Sequence, residues 1–187
     1  LLIKNLLIII KQQTYNSTIK LFDSTMTKKD RPKLIMPRGI GEKHFCTFNT
    51  IKGYSDSGVD IYGTENVSED DLLRIWLFCN STICWLIREK FGRKNLGGGM
   101  LKAEAIDLKE KSLYYRFSEI DKIKRIFDKA SARRVMNCLD ELEEDLHKEI
   151  DAIVFNHLQL SLDARMYVVD TFRNTVMART QKSKRKI

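Results

Sequence analysis

The sequence predicts an α+β chain: a β-rich module with a buried central helix, followed by a C-terminal helical segment. Three observations predict it. Both prolines, Pro32 and Pro37, lie early, and every glycine lies at or before Gly99. After Lys111, apolar residues recur at helical spacing. Hydrophobic residues make up 43% and charged residues 31%, the balance of a folded chain rather than a disordered one. We place a mixed α/β module at residues 1–112. A helical segment with a basic tail occupies residues 113–187.

The elements follow in order. Leu1–Ile10 is apolar but contains Lys4 and Asn5, and it is too short to span a bilayer. Lys11–Thr18 offers no small-residue cleavage site, so a signal peptide is not expected. Pro32 and Pro37 bracket a short extended segment. Phe45–Phe48, Val59–Tyr62 and Met100–Ile106 read as strands because β-branched and aromatic residues cluster there. Ser68-Glu69-Asp70-Asp71 reads as a helix cap with acids in the first turn. From Leu72 to Ile87 the chain is apolar nearly all round, which predicts burial. Asn80-Ser81-Thr82 interrupts that run and either splits it into two helices or bonds a neighbouring backbone. Ser118-Glu119 reads as a second cap, leading to Ile123, Ile126 and Phe127. Val135, Leu139, Leu142, Leu146, Ile150 and Ile153 form one amphipathic stripe. Ser161 caps a last helix bearing Met166, Val169, Phe172 and Val176, and the Lys182–Lys186 tail is expected to fray.

Charge is unevenly spread. Lys+Arg is 33 against 25 Asp+Glu, a net +8. Residues 1–35 and 179–187 carry the excess, and the middle is near neutral. A uniformly cationic, histone-like protein is excluded; a polyanion partner or simply soluble ends remain open. Cys46, Cys79, Cys84 and Cys138 show no CxxC pair and read as buried reduced thiols of a cytoplasmic protein. The chain starts at Leu rather than Met and is expected to be a fragment.

Missing motifs narrow the chemistry. An adenine-amino methyltransferase holds its flipped base with an Asn/Asp-Pro-Pro-aromatic loop, and Pro32 and Pro37 are not adjacent. No GxGxxG, GxxxxGK[ST], HExxH or GxSxG occurs. Glu144-x-x-His147 is half of a di-iron pattern without its partner, so His147 reads as a solvated helix residue.

Several patterns could bind or react. Gly97-Gly98-Gly99 follows Arg93-Lys94-Asn95 and precedes Lys102. Its backbone N–H groups could converge on a phosphate, or the glycines could allow a tight turn. Lys33, Arg38, Lys43, Asn49 and Lys52 interleave with aromatic residues. Lysine and arginine reach phosphates; arginine and asparagine reach base edges. An ordinary solvated β-face is the alternative. Asp107-Leu108-Lys109 with Asp60 would supply a carboxylate–lysine nuclease site.

Residues 72–110 carry a resemblance. Leu72-Leu73, Leu77-Phe78-Cys79-Asn80-Ser81-Thr82, Gly92-Arg93, Gly97-Gly98-Gly99-Met100-Leu101-Lys102 and Asp107-Leu108-Lys109 run in that order. They resemble the C-terminal target-recognition region of gamma-type, adenine-specific DNA methyltransferases of restriction–modification systems. Arg31–Arg38 resembles the strand entering that region, and Asp151–Ser161 the helical segment closing it. One departure is Gln159, where such proteins often have Gly. The resemblance implies sequence-specific recognition of double-stranded DNA by a non-catalytic module. Its contacts would be Lys33, Arg38, Lys43, Asn49, Lys52, Arg93, Lys94, Asn95, Gly97, Gly98, Gly99 and Lys102. Most would touch phosphate, with Arg38 and Asn49 at base edges. No cofactor or metal is expected in this chain, S-adenosylmethionine belonging to the missing catalytic domain. A methyltransferase catalytic domain or subunit is a further expected partner; a membrane is not. The alternatives are a stand-alone metal-dependent nuclease using Asp60, Asp107 and Lys109, or a protein-interaction subunit docking through the Val135–Ile153 stripe.

Overall fold

The computed structural model describes residues 31–52, 58–62, 67–94, 99–103 and 116–184. It is mixed α+β. Strand β1 (Leu34–Pro37) lies between β3 (Thr47–Phe48) and β4 (Gly58–Ile61), antiparallel to both. The pair β2 (Gly39–Ile40) and β5 (Leu101–Lys102) forms a second antiparallel sheet. The strands are shorter than the residue clusters suggest: Phe45 and Cys46 lie outside β3, because the Cys46 backbone bonds a side chain instead. Alternation still decides the faces. Leu34, Met36, Val59 and Ile61 point inward, while Ile35 and Asp60 are half-buried.

The apolar run is two helices, α1 (Glu69–Cys79) and α2 (Thr82–Phe91). Both expectations for Asn80-Ser81-Thr82 hold together. Ser81 caps α2, its side chain accepting from the Cys84 N–H at 3.4 Å. Asn80 accepts from the Cys46 N–H at 2.9 Å and donates to the Cys46 carbonyl at 3.1 Å. One amide therefore replaces a strand partner for Cys46 and pins the β-region to the helix break. Ser68 and Asp71 form a capping box at the start of α1. Every residue from Thr82 to Glu89 is buried, including Arg88 and Glu89.

The C-terminal part is helical. It comprises α3 (Ile120–Ser131), α4 (Cys138–Glu141), α5 (Asp145–His157) and α6 (Leu162–Lys184). The second expected cap fails: Glu119 is the N-cap of α3 and no side chain closes it. The stripe is not one helix. Asn137 caps α4, accepting from Leu139 and Asp140, and the chain restarts at Asp145. Val135 is left outside and 38% exposed, whereas Leu142, Ile150 and Ile153 are buried. Ser161 does cap α6, accepting from the Ala164 N–H at 3.3 Å. That helix runs on through Lys182 to Lys184 rather than fraying before them.

Leu34, Ile61, Trp76, Trp85, Ile126, Ile153 and Phe172 belong to a single apolar cluster, so one core crosses residue 112. None of the four cysteines is in a disulfide, and all four are buried. Gly92 is needed where α2 meets β5: a Cβ there would lie 2.6 Å from the Leu101 side chain and 2.7 Å from the Arg88 carbonyl. No helix among the described residues is long and apolar enough to cross a membrane.

Candidate functional site

The expected contact residues fall into groups. Arg38, Arg93 and Lys102 come from three separated segments and converge at the second sheet. Ala103 N–H donates to the Arg38 carbonyl at 2.9 Å. Arg93 and Lys102 exchange backbone bonds of 2.8 and 2.9 Å. They thereby close the neck of the glycine-rich segment, with Lys94 exposed beside them. Gly99 adopts φ 68°, a left-handed conformation suited to glycine, and its carbonyl accepts from Arg179. Asn95, Gly97 and Gly98 lie outside the described residues.

The others are apart from this neck. Lys33 and Asn49 meet at the end of the first sheet. Asn49 Nδ2 donates to the Pro32 carbonyl at 2.9 Å, so part of its amide serves the fold. Lys52 is exposed with φ 51°. Lys43 donates from Nζ to the Val135 carbonyl at 2.8 Å. Asp60 sits half-buried in β4, and Asp107 and Lys109 lie outside the described residues. Among the described residues no group of three or more His, Cys, Asp or Glu side chains could hold a metal.

Two buried polar clusters went unseen in the sequence. In the first, Arg179 of α6 forks onto Glu89 of α2, with Nη2 at 2.7 Å from Oε1 and Nε at 3.1 Å from Oε2. The same guanidinium donates to the Gly41 carbonyl at 2.8 Å and to Gly99. His44 Nε2 lies 3.0 Å from Glu89 Oε1. Burial alone would raise the Glu89 carboxyl, but hydrogen bonds from His44 and Arg179 hold it below its usual range. Glu89 is therefore ionised and acceptor-only, and His44 Nε2 carries the proton. Burial, working against Glu89, lowers the His44 pKa to about 4, so the ring is neutral. Arg179 is the first residue of the basic tail by composition, yet it is 7% exposed and spent on the core.

In the second cluster, Asp151 of α5 caps α2 from outside. Its Oδ1 accepts from the Thr82 N–H at 2.8 Å and its Oδ2 from the Thr82 hydroxyl at 2.6 Å. His147 Nε2 lies 2.8 Å from Thr82 Oγ1. His147 is 2% exposed, which corrects its reading as a solvated residue. Threonine, histidine and aspartate are the residue types of a nucleophilic triad, but the geometry is wrong. One nitrogen, Nε2, faces both Thr82 and Asp151, at 2.8 and 3.5 Å. A triad needs the carboxylate on the opposite ring nitrogen.

Between the clusters lies a cavity of about 310 Å³. Helical spacing builds its wall: Trp76 and Asn80 share a face of α1, Phe127 and Ala130 a face of α3, and His147 and Ile150 a face of α5. Trp85 stacks between two imidazoles. His147 is 4.4 Å away at 26°, and His44 5.6 Å away at 28°. Opposite, Phe127 meets Phe48 and Trp76 edge-on, each at 5.0 Å. The mouth carries exposed Thr47, Thr50, Ser131 and Arg134. Three buried atoms of lining residues have no protein partner: His44 Nδ1, Trp85 Nε1 and Arg133 Nε. Each such atom costs ~1–3 kcal/mol, and all three are shut off from the cavity as well as from protein partners.

No protein-family model, curated protein or solved structure matches the chain.

Proposed function

We propose that this chain is the double-stranded-DNA recognition part of an adenine-N6 DNA methyltransferase of a restriction–modification system. The observation that carries the reading is the convergence of Arg38, Arg93 and Lys102, with Lys94 beside them, at the neck of the glycine-rich segment. Phosphates repeat along a duplex, so basic residues whose backbones meet on one small sheet are placed to engage more than one of them. The order of a split apolar helix, a glycine-rich segment and a Leu-Lys strand supports the resemblance. Gln159 supports it too: its φ of 53° is the left-handed conformation for which glycine, the residue common at that place in such proteins, is best suited.

The test is duplex affinity against salt for the wild type and for the Arg93→Ala, Lys94→Ala double variant. Two lost phosphate contacts should lower the salt slope by about 2 and weaken binding to all sequences alike. An unchanged slope sinks the reading for this loop.

A second reading, a protein-interaction subunit of a methyltransferase complex, draws on a different surface from the one expected. The Val135–Ile153 stripe is largely buried, but Leu162, Met166 and Tyr167 of α6 are 71%, 51% and 43% exposed. Association with a catalytic domain that is lost on Leu162→Glu, Met166→Glu would favour it.

A further inference from the structure

We propose that the cavity binds a small amphipathic carboxylate, with a compact aryl or short alkyl tail inside and its charged head at the mouth. The site stands independently of the recognition reading.

The inner part of the cavity calls for an apolar tail. Phe45, Phe48, Phe127 and Ala130 line it, and each is only half-buried. Val135 continues that apolar surface to the outside, at 38% exposed. Covering such surface removes it from water, which is favourable. The polar groups alongside are spent or shut off. Asn80 bonds the backbones of Cys46 and Trp76. Glu141 is held by Arg133 and by the Met136 N–H. His44 Nδ1, Trp85 Nε1 and Arg133 Nε have no surface to offer. A tail rich in hydrogen-bonding groups would lose its water there and find few partners. At about 310 Å³ the cavity is at the small end of ligand sites, which suits one ring or a short chain.

The mouth calls for an anion. The Glu141 carboxylate is already matched by Arg133. The two imidazoles on the wall, His44 and His147, are neutral, because burial lowers the pKa of each. That leaves the exposed guanidinium of Arg134 as the unbalanced charge of the lining. Lys43, held against the Val135 carbonyl beside the mouth, adds a second positive charge. Exposed Thr50 and Ser131 stand at the same mouth, with hydroxyls that can donate. A guanidinium takes a carboxylate through two parallel N–H···O bonds, and a cleft of one charge sign draws the opposite ion in. An apolar wall under a cationic rim therefore selects an anion with an apolar tail over a hydrocarbon or a sugar.

The probe is hydrocinnamate, compared with its neutral amide, hydrocinnamamide, in amide NMR titrations of the full chain. The acid should give saturable shifts at the backbone amides of Thr47, Ser131 and Arg134. The neutral amide should bind about tenfold more weakly, having lost the charge-assisted pair. Arg134→Glu should weaken the acid by about tenfold or more and leave the neutral amide unchanged, which a merely structural role of Arg134 would not do. Ser131→Trp changes an exposed residue and plugs the mouth. It should abolish binding of both compounds without shifting the melting temperature. Absence of saturable shifts with the acid overturns the proposal. Binding that survives Ser131→Trp puts the ligand elsewhere and overturns it too. Equal binding of acid and neutral amide removes the role of the charge, with the same consequence.

Discussion

His44 faces two environments that differ in one respect. Its Nε2 enters a cluster in which Glu89 and Arg179 satisfy one another and the carbonyls of Gly41 and Gly99. Its Nδ1 is buried without a protein partner, as is Nε1 of the Trp85 ring stacked on it. Both regions are buried and both are polar. The satisfied one ties α2, α6 and the glycine-rich neck together, so its groups are consumed by the fold. The unsatisfied one leaves bonding capacity unmet in the core, which costs stability instead of adding to it.

Breaking the satisfied cluster should have the largest effect. Arg179→Leu leaves Glu89 charged in the core without its counter-charge, held by neutral His44, and should destabilise the chain by ~3–5 kcal/mol, measured by urea denaturation. Acid should act through the same cluster. Unfolded His44 protonates near 6.5, whereas the folded ring resists until about 4. Between those values only the unfolded chain takes up the proton. Stability is therefore full above about 6.5 and falls as pH drops toward 4, by at most ~3 kcal/mol from this group. Burial raises the Asp151 pKa, so that carboxyl works in the opposite direction. Melts across pH 4–8 of the wild type and of His44→Gln isolate this group's share, and an identical pH slope in the two would contradict the assignment of His44.

Asn80→Ala strands the Cys46 N–H and carbonyl and should cost ~2 kcal/mol, between the two clusters in size. Gln159→Gly should have the smallest effect. It relieves a left-handed residue at φ 53° but adds backbone entropy to the unfolded chain, for a net gain of ~0.5 kcal/mol in a thermal melt.

Local rules made much of the fold legible. Ser68 and Ser161 cap the helices they precede, and Asn80-Ser81-Thr82 breaks the apolar run where polarity interrupts it. The misses share a cause. Val135 fits the stripe by spacing, but Asn137 offers a stronger helix start two residues later. His147 sits among charged residues in sequence, yet its burial follows from Thr82 and Asp151, one of them 65 residues away. Arg179 joins Glu89 across 90 positions, and no local pattern encodes that pairing. The convergence of Arg38, Arg93 and Lys102 depends on the β2–β5 pairing and is likewise set by tertiary contact. The cavity is assembled from five helices, strand β3 and the segments beside them, so its residues were visible only as core aromatics.

Trp85→Phe tests most directly whether the two buried regions differ in how far their polar groups are satisfied. The change removes one unsatisfied donor while keeping an aromatic ring, so the account predicts stability within ~1 kcal/mol of the wild type. A loss of stability comparable to that of Arg179→Leu would contradict it.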